Sequence, residues 1–173
     1  MHNHTASTGS GSRVWLVFTL PGKTAALPVE TVEQIVPMAE LLRPPALPHA
    51  LEGVLNLAGE AVPILRLDRI FGLQNQIPGL YSALLILRIA TGRRIGILAD
   101  RVNEMASVPA GDWVPLDPQD SFNGCAEAAF RMGNTVVHVL SPEHLLAAKE
   151  REALAQFQQI AERRLKDWEA FHA

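Results

Sequence analysis

Residues 53–67 read GVLNLAGEAVPILRL, which is two apolar runs on either side of a glycine turn. The runs cover residues 53–57 and 61–67, and Gly59-Glu60 lies between them. Glycine tolerates the positive φ that tight hairpin turns require. The stretch therefore predicts a β-hairpin.

The same pattern recurs on both sides of this hairpin. The flanking runs are rich in β-branched and aromatic residues, which favour strands. Residues 102–108 predict one more strand. The three further predicted hairpins join residues 14–20 to 24–29, 81–89 to 94–99, and 128–132 to 135–140.

Many short strands with turns at regular spacing indicate an all-β fold. The strand count suits two small barrels of about five strands each. Strands do not alternate with helices in the sequence, so we expect no parallel sheet.

The C-terminal residues predict a different element. Ser141 is a good helix N-cap, and Pro142 suits the first helical position. We expect residues 142–173 to form one amphipathic α-helix about 45 Å long. Its apolar stripe either packs along the barrels or meets a partner helix. The stripe consists of Leu146, Leu154, Phe157, Ile160, Ala161, Leu165, Trp168 and Phe171.

The sequence divides into a tail, a β domain and this helix. We expect residues 1–12 to be a flexible tail, because they lack the apolar centre of a signal peptide. We expect residues 13–141 to form the β domain. Apolar runs are too short to span a membrane, and the single cysteine, Cys125, fits a reducing compartment. We therefore expect a cytoplasmic protein without membrane insertion.

Composition argues against nucleic acid as a partner. The chain has 173 residues, of which 48% are hydrophobic, so a core can form. Its 15 basic and 18 acidic residues give a net charge of -3. No basic excess is present to neutralise phosphates.

The search for reactive motifs also points away from an enzyme. The sequence has no phosphate-binding loop, nucleophile elbow or zinc motif. Cys125 and His138 could act as nucleophile and base, but a lone buried cysteine usually behaves as a small hydrophobe. We expect no catalytic, cofactor or metal site. A binding module is the better interpretation.

Residues 53–67 resemble the signature hairpin of CheW-like domains, which reads roughly G-V-x-N-L-R-G and continues to P-V-(V/I)-D-L-R. Residues 14–36, 96–104 and 123–146 are similar to other segments of that family, in the right order. The resemblance covers residues 13–146.

The resemblance implies two intertwined five-stranded, SH3-like barrels and a non-catalytic adaptor without a cofactor. Such adaptors join chemoreceptors to a CheA-type histidine kinase, in chemotaxis or related surface-motility signalling. One surface docks the kinase regulatory domain, and the groove between the barrels docks the tip of a methyl-accepting receptor. The protein-binding residues that we expect are Glu33, Val36, Gly53, Asn56, Leu57, Ala58, Gly59, Arg66, Asp100, Val102 and Glu104.

The sequence departs from the family pattern at the hairpin. Ala58 replaces the family's arginine, and the family's Asp-Leu-Arg becomes Arg66-Leu67-Asp68. In family members that arginine can pair with a glutamate equivalent to Glu33. Our hypothesis is that Arg66 moved into this role. The alternative is that Glu33 and Arg66 both face water.

Two other functions stay open. A diverged paralogue could have lost kinase docking and act as a structural or competing subunit, with the C-terminal helix making its contacts. A small-molecule-binding barrel would need a closed pocket with convergent polar groups.

Overall fold

A computed structural model describes residues 13–172, apart from the side chains at 151, 152, 154–162 and 164. The predicted tail, residues 1–12, lies outside the described residues. The described chain contains eleven strands, two α-helices and three short 3-10 helices. The strands are β1 (Val14–Leu20), β2 (Lys23–Pro28), β3 (Val32–Pro37), β4 (Leu51–Leu57), β5 (Glu60–Leu65), β6 (Ala83–Arg88), β7 (Arg94–Ala99), β8 (Arg101–Ser107), β9 (Trp113–Val114), β10 (Ala126–Met132) and β11 (Thr135–Leu140).

The strands form two sheets, which confirms the predicted β-rich fold. The six-stranded sheet has the order β8-β1-β2-β11-β10-β9, and the five-stranded sheet has the order β3-β6-β7-β5-β4. The second sheet has the predicted five strands, and the first sheet has one more than predicted. The extra strand, β9, is two residues long, too short to leave an alternating pattern.

The chain passes from one sheet to the other and back. After β2 it builds all five strands of the second sheet, and it returns to the first at β8. Each sheet contains one parallel pair, β2 with β11 and β5 with β7. All other pairings are antiparallel, so neither sheet is a parallel sheet, as expected.

A shared apolar core lies between the two sheets. Leu16 and Phe18 of β1 face this core, and so do Leu85 and Leu87 of β6. The residues between them, such as Val17, pack in smaller cores on the opposite faces of the sheets. Strands buried on both faces explain why the runs VWLVFTL and ALLIL are almost continuously apolar.

Two helices complete the described chain. Helix α1 spans Leu67–Phe71 and ends at Gly72, whose φ of 66° suits a left-handed C-cap. Helix α2 spans Pro142–His172. Neither helix, as far as the described residues go, is long and apolar enough to cross a membrane.

Among the described side chains of α2, those near its start pack on the sheets. The Ser141 carbonyl and hydroxyl accept the first N–H groups of the helix, and Leu145 and Ala148 are buried in the shared core. Every described side chain at 163 and 165–172 is exposed, including Trp168 and Phe171. The interpretation that the stripe packs along the barrels is therefore wrong for this part of the helix.

Candidate functional site

The side chain of Asn56, just before the turn, stabilises the turn of the β4–β5 hairpin. Ala58 and Gly59 both have positive φ, 50° and 90°, as a type I′ turn requires. The Asn56 Oδ1 atom accepts a hydrogen bond from the Gly59 N–H at 2.9 Å. Asn56, Ala58 and Gly59 are exposed and Leu57 is half-buried, so the tip is open to a partner.

Glu33 lies at the centre of a charged ladder that crosses four strands. It sits on β3 at a register shift between Val32 and Gln34, that is, at a β-bulge. Its carboxylate accepts bonds from Arg88 on β6 at 3.1 and 3.2 Å, and from Arg94 on β7 at 2.8 Å. Arg94 also pairs with Glu60 on β5. Two strand arginines thus hold Glu33 in place.

The ladder gives a prediction for the pH dependence of stability. Hydrogen bonds from Arg94 and then Arg88 lower the pKa of Glu33 from 4.5 to about 2. A carboxylate with a depressed pKa stabilises the fold above its unfolded pKa, and that contribution is lost as the pH falls towards the folded value. We expect Glu33→Gln to unfold more easily than wild type at pH 7, and the difference to shrink between pH 4.5 and pH 2.

Chemical denaturation at a series of pH values tests this, with Glu104→Gln as the control. Glu104 is exposed, and the structure records no ion pair for it among the described residues. The prediction would be contradicted if the stability difference between Glu33→Gln and wild type stayed constant down to pH 2.

Arg66 does not approach this ladder, so the hypothesis that it replaces the hairpin arginine is wrong. The alternative, that Arg66 faces water, is also wrong, because the residue is only 3% exposed. Its guanidinium makes a bidentate pair with Asp68 at 2.8 and 2.7 Å, and a third bond to Glu52 at 2.7 Å. Burial by itself raises the pKa of both carboxyls, but the Arg66 hydrogen bonds keep each below its usual value.

A β-bulge explains how Glu52 reaches Arg66. The β4–β5 register shifts between Leu51 and Gly53, so Glu52 is the extra residue and its side chain turns inward. The other oxygen of Glu52 accepts a bond from Arg43 at 2.8 Å. The inverted Arg66-Leu67-Asp68 order is therefore accommodated by a carboxylate from the neighbouring strand.

The buried network also fixes the loop that follows α1. Arg66 Nη2 donates to the Asn75 side chain at 3.1 Å and to the Gln76 carbonyl at 2.7 Å. Asp68 Oδ2 accepts the Gln76 N–H at 2.9 Å. Arg66 is thus positioned to hold structure together, and it does not belong to an exposed docking surface.

A groove lies between the edges of the two sheets. The edge strand β8 of one sheet and the edge strand β3 of the other border it, and its volume is about 260 Å³. Exposed Ile35 and Met105 contribute apolar surface, and Glu33 is the one predicted residue in its lining. The full lining is Leu16, Val29, Val32, Glu33, Gln34, Ile35 and Met105.

The other predicted residues occupy varied positions. Val36 packs partly against the core of the second sheet, and Gly53 is buried. Asp100 and Val102 are half-buried and Glu104 is exposed, all near or on β8. Sequence reasoning missed Ile35 and Met105, for which the only signal was a large apolar residue at an otherwise polar strand position.

Two intertwined sheets with an open groove between their edges define a small β domain built around a surface cleft. The chain belongs to the CheW-like domain family, whose profile matches residues 14–150. This confirms the resemblance seen in the sequence.

Individual relatives agree with that assignment. The chain is 26% identical over 146 residues to a chemotaxis protein CheW of Treponema pallidum, covering 81% of this chain and 85% of that protein. It is 28% identical over 87 residues to a chemotaxis protein CheW of Thermotoga maritima, covering 50% and 56%. The crystal structure of the scaffolding protein TtCheW from Thermoanaerobacter tengcongensis superposes with a TM-score of 0.70 at 21% identity, covering 84% of this chain and 92% of that one. The structural match shows a shared fold.

Proposed function

We propose that this protein is a non-catalytic, cytoplasmic adaptor that couples a chemoreceptor to a CheA-type histidine kinase. Membership of the CheW-like family supports a scaffold role in chemotaxis. The receptor tip would dock in the groove between β3 and β8, and the kinase regulatory domain on the hairpin surface around residues 53–59.

The groove is the observation that carries this proposal. Ile35 is 44% exposed and Met105 is 63% exposed, and they face one cleft from different sheets. Protein interfaces combine an apolar centre with a polar rim, and Glu33 and Gln34 supply polar groups beside these side chains. Covering the cleft would remove apolar surface from water, which favours association.

Binding of purified partners tests the proposal. We expect Ile35→Lys or Met105→Lys to weaken binding of a receptor signalling tip by about tenfold or more, since each buries a charge in the interface. Kinase binding should change little. Val136→Lys is the matched control, because Val136 is 40% exposed on β11 and does not line the groove.

Isothermal titration of the full-length protein against each partner gives the affinities. The proposal fails if the wild-type protein binds neither a receptor tip nor a kinase regulatory domain. The groove assignment fails if both lysine variants bind the receptor tip as tightly as wild type.

A second candidate is a diverged paralogue whose contacts come from α2. It is favoured by Ala58 in place of the hairpin arginine and by the exposure of Leu165, Trp168 and Phe171 at 62%, 61% and 91%. Deleting residues 154–173 distinguishes this candidate from the adaptor. Loss of all partner binding with an intact β domain would favour the paralogue, whereas unchanged binding would favour the adaptor.

A further inference from the structure

The loop between α1 and β6 presents apolar side chains on a fixed base. Ile77, Leu80 and Tyr81 are 81%, 90% and 69% exposed. At the base, the Gln76 backbone is bonded at both its N–H and its carbonyl to the buried Arg66–Asp68 pair. A cluster of exposed apolar side chains is more often functional than a single one, and here the backbone beneath it is tethered.

A pocket of about 330 Å³ lies beside these side chains. It is separate from the groove between β3 and β8, since the two linings share no residue. Its lining is Pro21, Asn75, Gln76, Ile77, Gly79, Leu80, Tyr81, Ser82 and Asp100.

Two hydrogen-bond acceptors in this lining lack a donor among the described residues. Gln76 is 2% exposed, and its Nε2 donates to the Leu98 carbonyl at 3.4 Å, which leaves Oε1 as the atom without a partner. The half-buried Asp100 donates its backbone N–H to the Thr19 carbonyl. Its carboxylate forms no ion pair among the described residues. Buried acceptors are normally satisfied, so Gln76 Oε1 is an exception, whereas the half-buried Asp100 carboxylate is open to solvent and to a partner.

The charges around the pocket favour a cation. The neighbouring Arg101 guanidinium lies 5.4 Å from the centre of the Tyr81 ring, and no bond from it to Asp100 is recorded. Arg101 does not line the pocket, and Asp100 is the one charged residue that does. Arginine and lysine side chains offer several N–H donors on an aliphatic stem, which matches a carboxylate beside an apolar rim.

We propose that this pocket binds an arginine or lysine side chain of a partner protein, from a segment in which apolar residues flank the basic one. The cation bonds the Asp100 carboxylate, and the flanking residues cover Ile77, Leu80 and Tyr81. A free metal ion or small cation would leave this apolar rim uncovered. The inference does not depend on receptor or kinase coupling.

An NMR titration of the full-length, nitrogen-15-labelled protein tests the proposal. The probe is the peptide acetyl-Leu-Arg-Leu-amide, and acetyl-Leu-Gln-Leu-amide is its uncharged match. We expect saturable shifts at the Gln76 side-chain amide and at the Leu80, Tyr81 and Asp100 backbone amides. The glutamine peptide should bind about tenfold more weakly, because hydrogen bonds to charged groups are the stronger kind.

Two variants with matched controls complete the test. Asp100→Asn and Leu80→Ser should each weaken binding of the arginine peptide, whereas Asp112→Asn and Leu165→Ser should not. Asp112 and Leu165 are exposed outside the pocket. Equal binding of both peptides, full binding by Asp100→Asn, or no saturable shift at these amides would overturn the proposal.

Discussion

Replacing Arg66 by alanine is expected to lower the free energy of unfolding by about 3–5 kcal/mol, the usual cost of removing one partner from a buried ion pair. The substitution would leave Glu52 and Asp68 buried, at 9% and 1% exposure, without their central cation. It would also release Asn75 and Gln76, so the loop after α1 would lose part of its anchor. Urea unfolding followed by circular dichroism measures the change.

A surface arginine provides the control for this prediction. Arg13 pairs with Glu30 at 2.7 Å, but both side chains are more than half exposed, so Arg13→Ala should change stability by less than about 1 kcal/mol. The triple variant Glu52→Leu, Arg66→Met, Asp68→Leu should be considerably more stable than Arg66→Ala, because it also removes the two carboxylates that would lack a cation. A loss below about 1 kcal/mol in Arg66→Ala would show that the network does not stabilise the fold.

Gly53→Ala is expected to cost roughly 3 kcal/mol, the upper end of the range for overpacking a core. A Cβ atom at this position would lie 2.8 Å from the Leu41 Cβ and 2.9 Å from the Leu42 carbonyl oxygen. Main chain cannot move aside as a side-chain end can, and Leu42 is joined to Val54 by two hydrogen bonds of 2.9 Å. Differential scanning calorimetry should record a clear fall in the melting temperature.

Gly111→Ala is the matched control, because a Cβ atom there meets nothing within 4 Å and the φ of Gly111 is not positive. We expect its stability to stay within about 0.5 kcal/mol of wild type. If Gly53→Ala is equally neutral, the close approach of residues 41–42 to β4 is looser than the geometry indicates.

The hairpins were predictable because each is encoded locally. Apolar runs of the right length flank glycine turns, and β1–β2, β4–β5, β6–β7 and β10–β11 are all observed as antiparallel pairs. Pairing between distant strands was not predictable in this way. The parallel partners β2 and β11 are more than 100 residues apart, and no local pattern joins them.

The charged clusters escaped prediction for a different reason. Alternation along a strand cannot predict the direction of these side chains, because Glu33 and Glu52 both sit at β-bulges, where alternation breaks. Glu33 consequently turns to Arg88 and Arg94, and Glu52 turns to Arg66. The bulges depend on register with other strands, which the sequence of one strand does not contain.

The crossing of the chain between sheets has a kinetic consequence. The six-stranded sheet needs β1 and β2 from the start of the chain and four strands from residue 101 onward, with the whole second sheet encoded between them. Long loops must therefore close before most native contacts can form, and such topologies fold slowly. During synthesis on the ribosome, β1 and β2 must wait for β11 before their sheet can be completed.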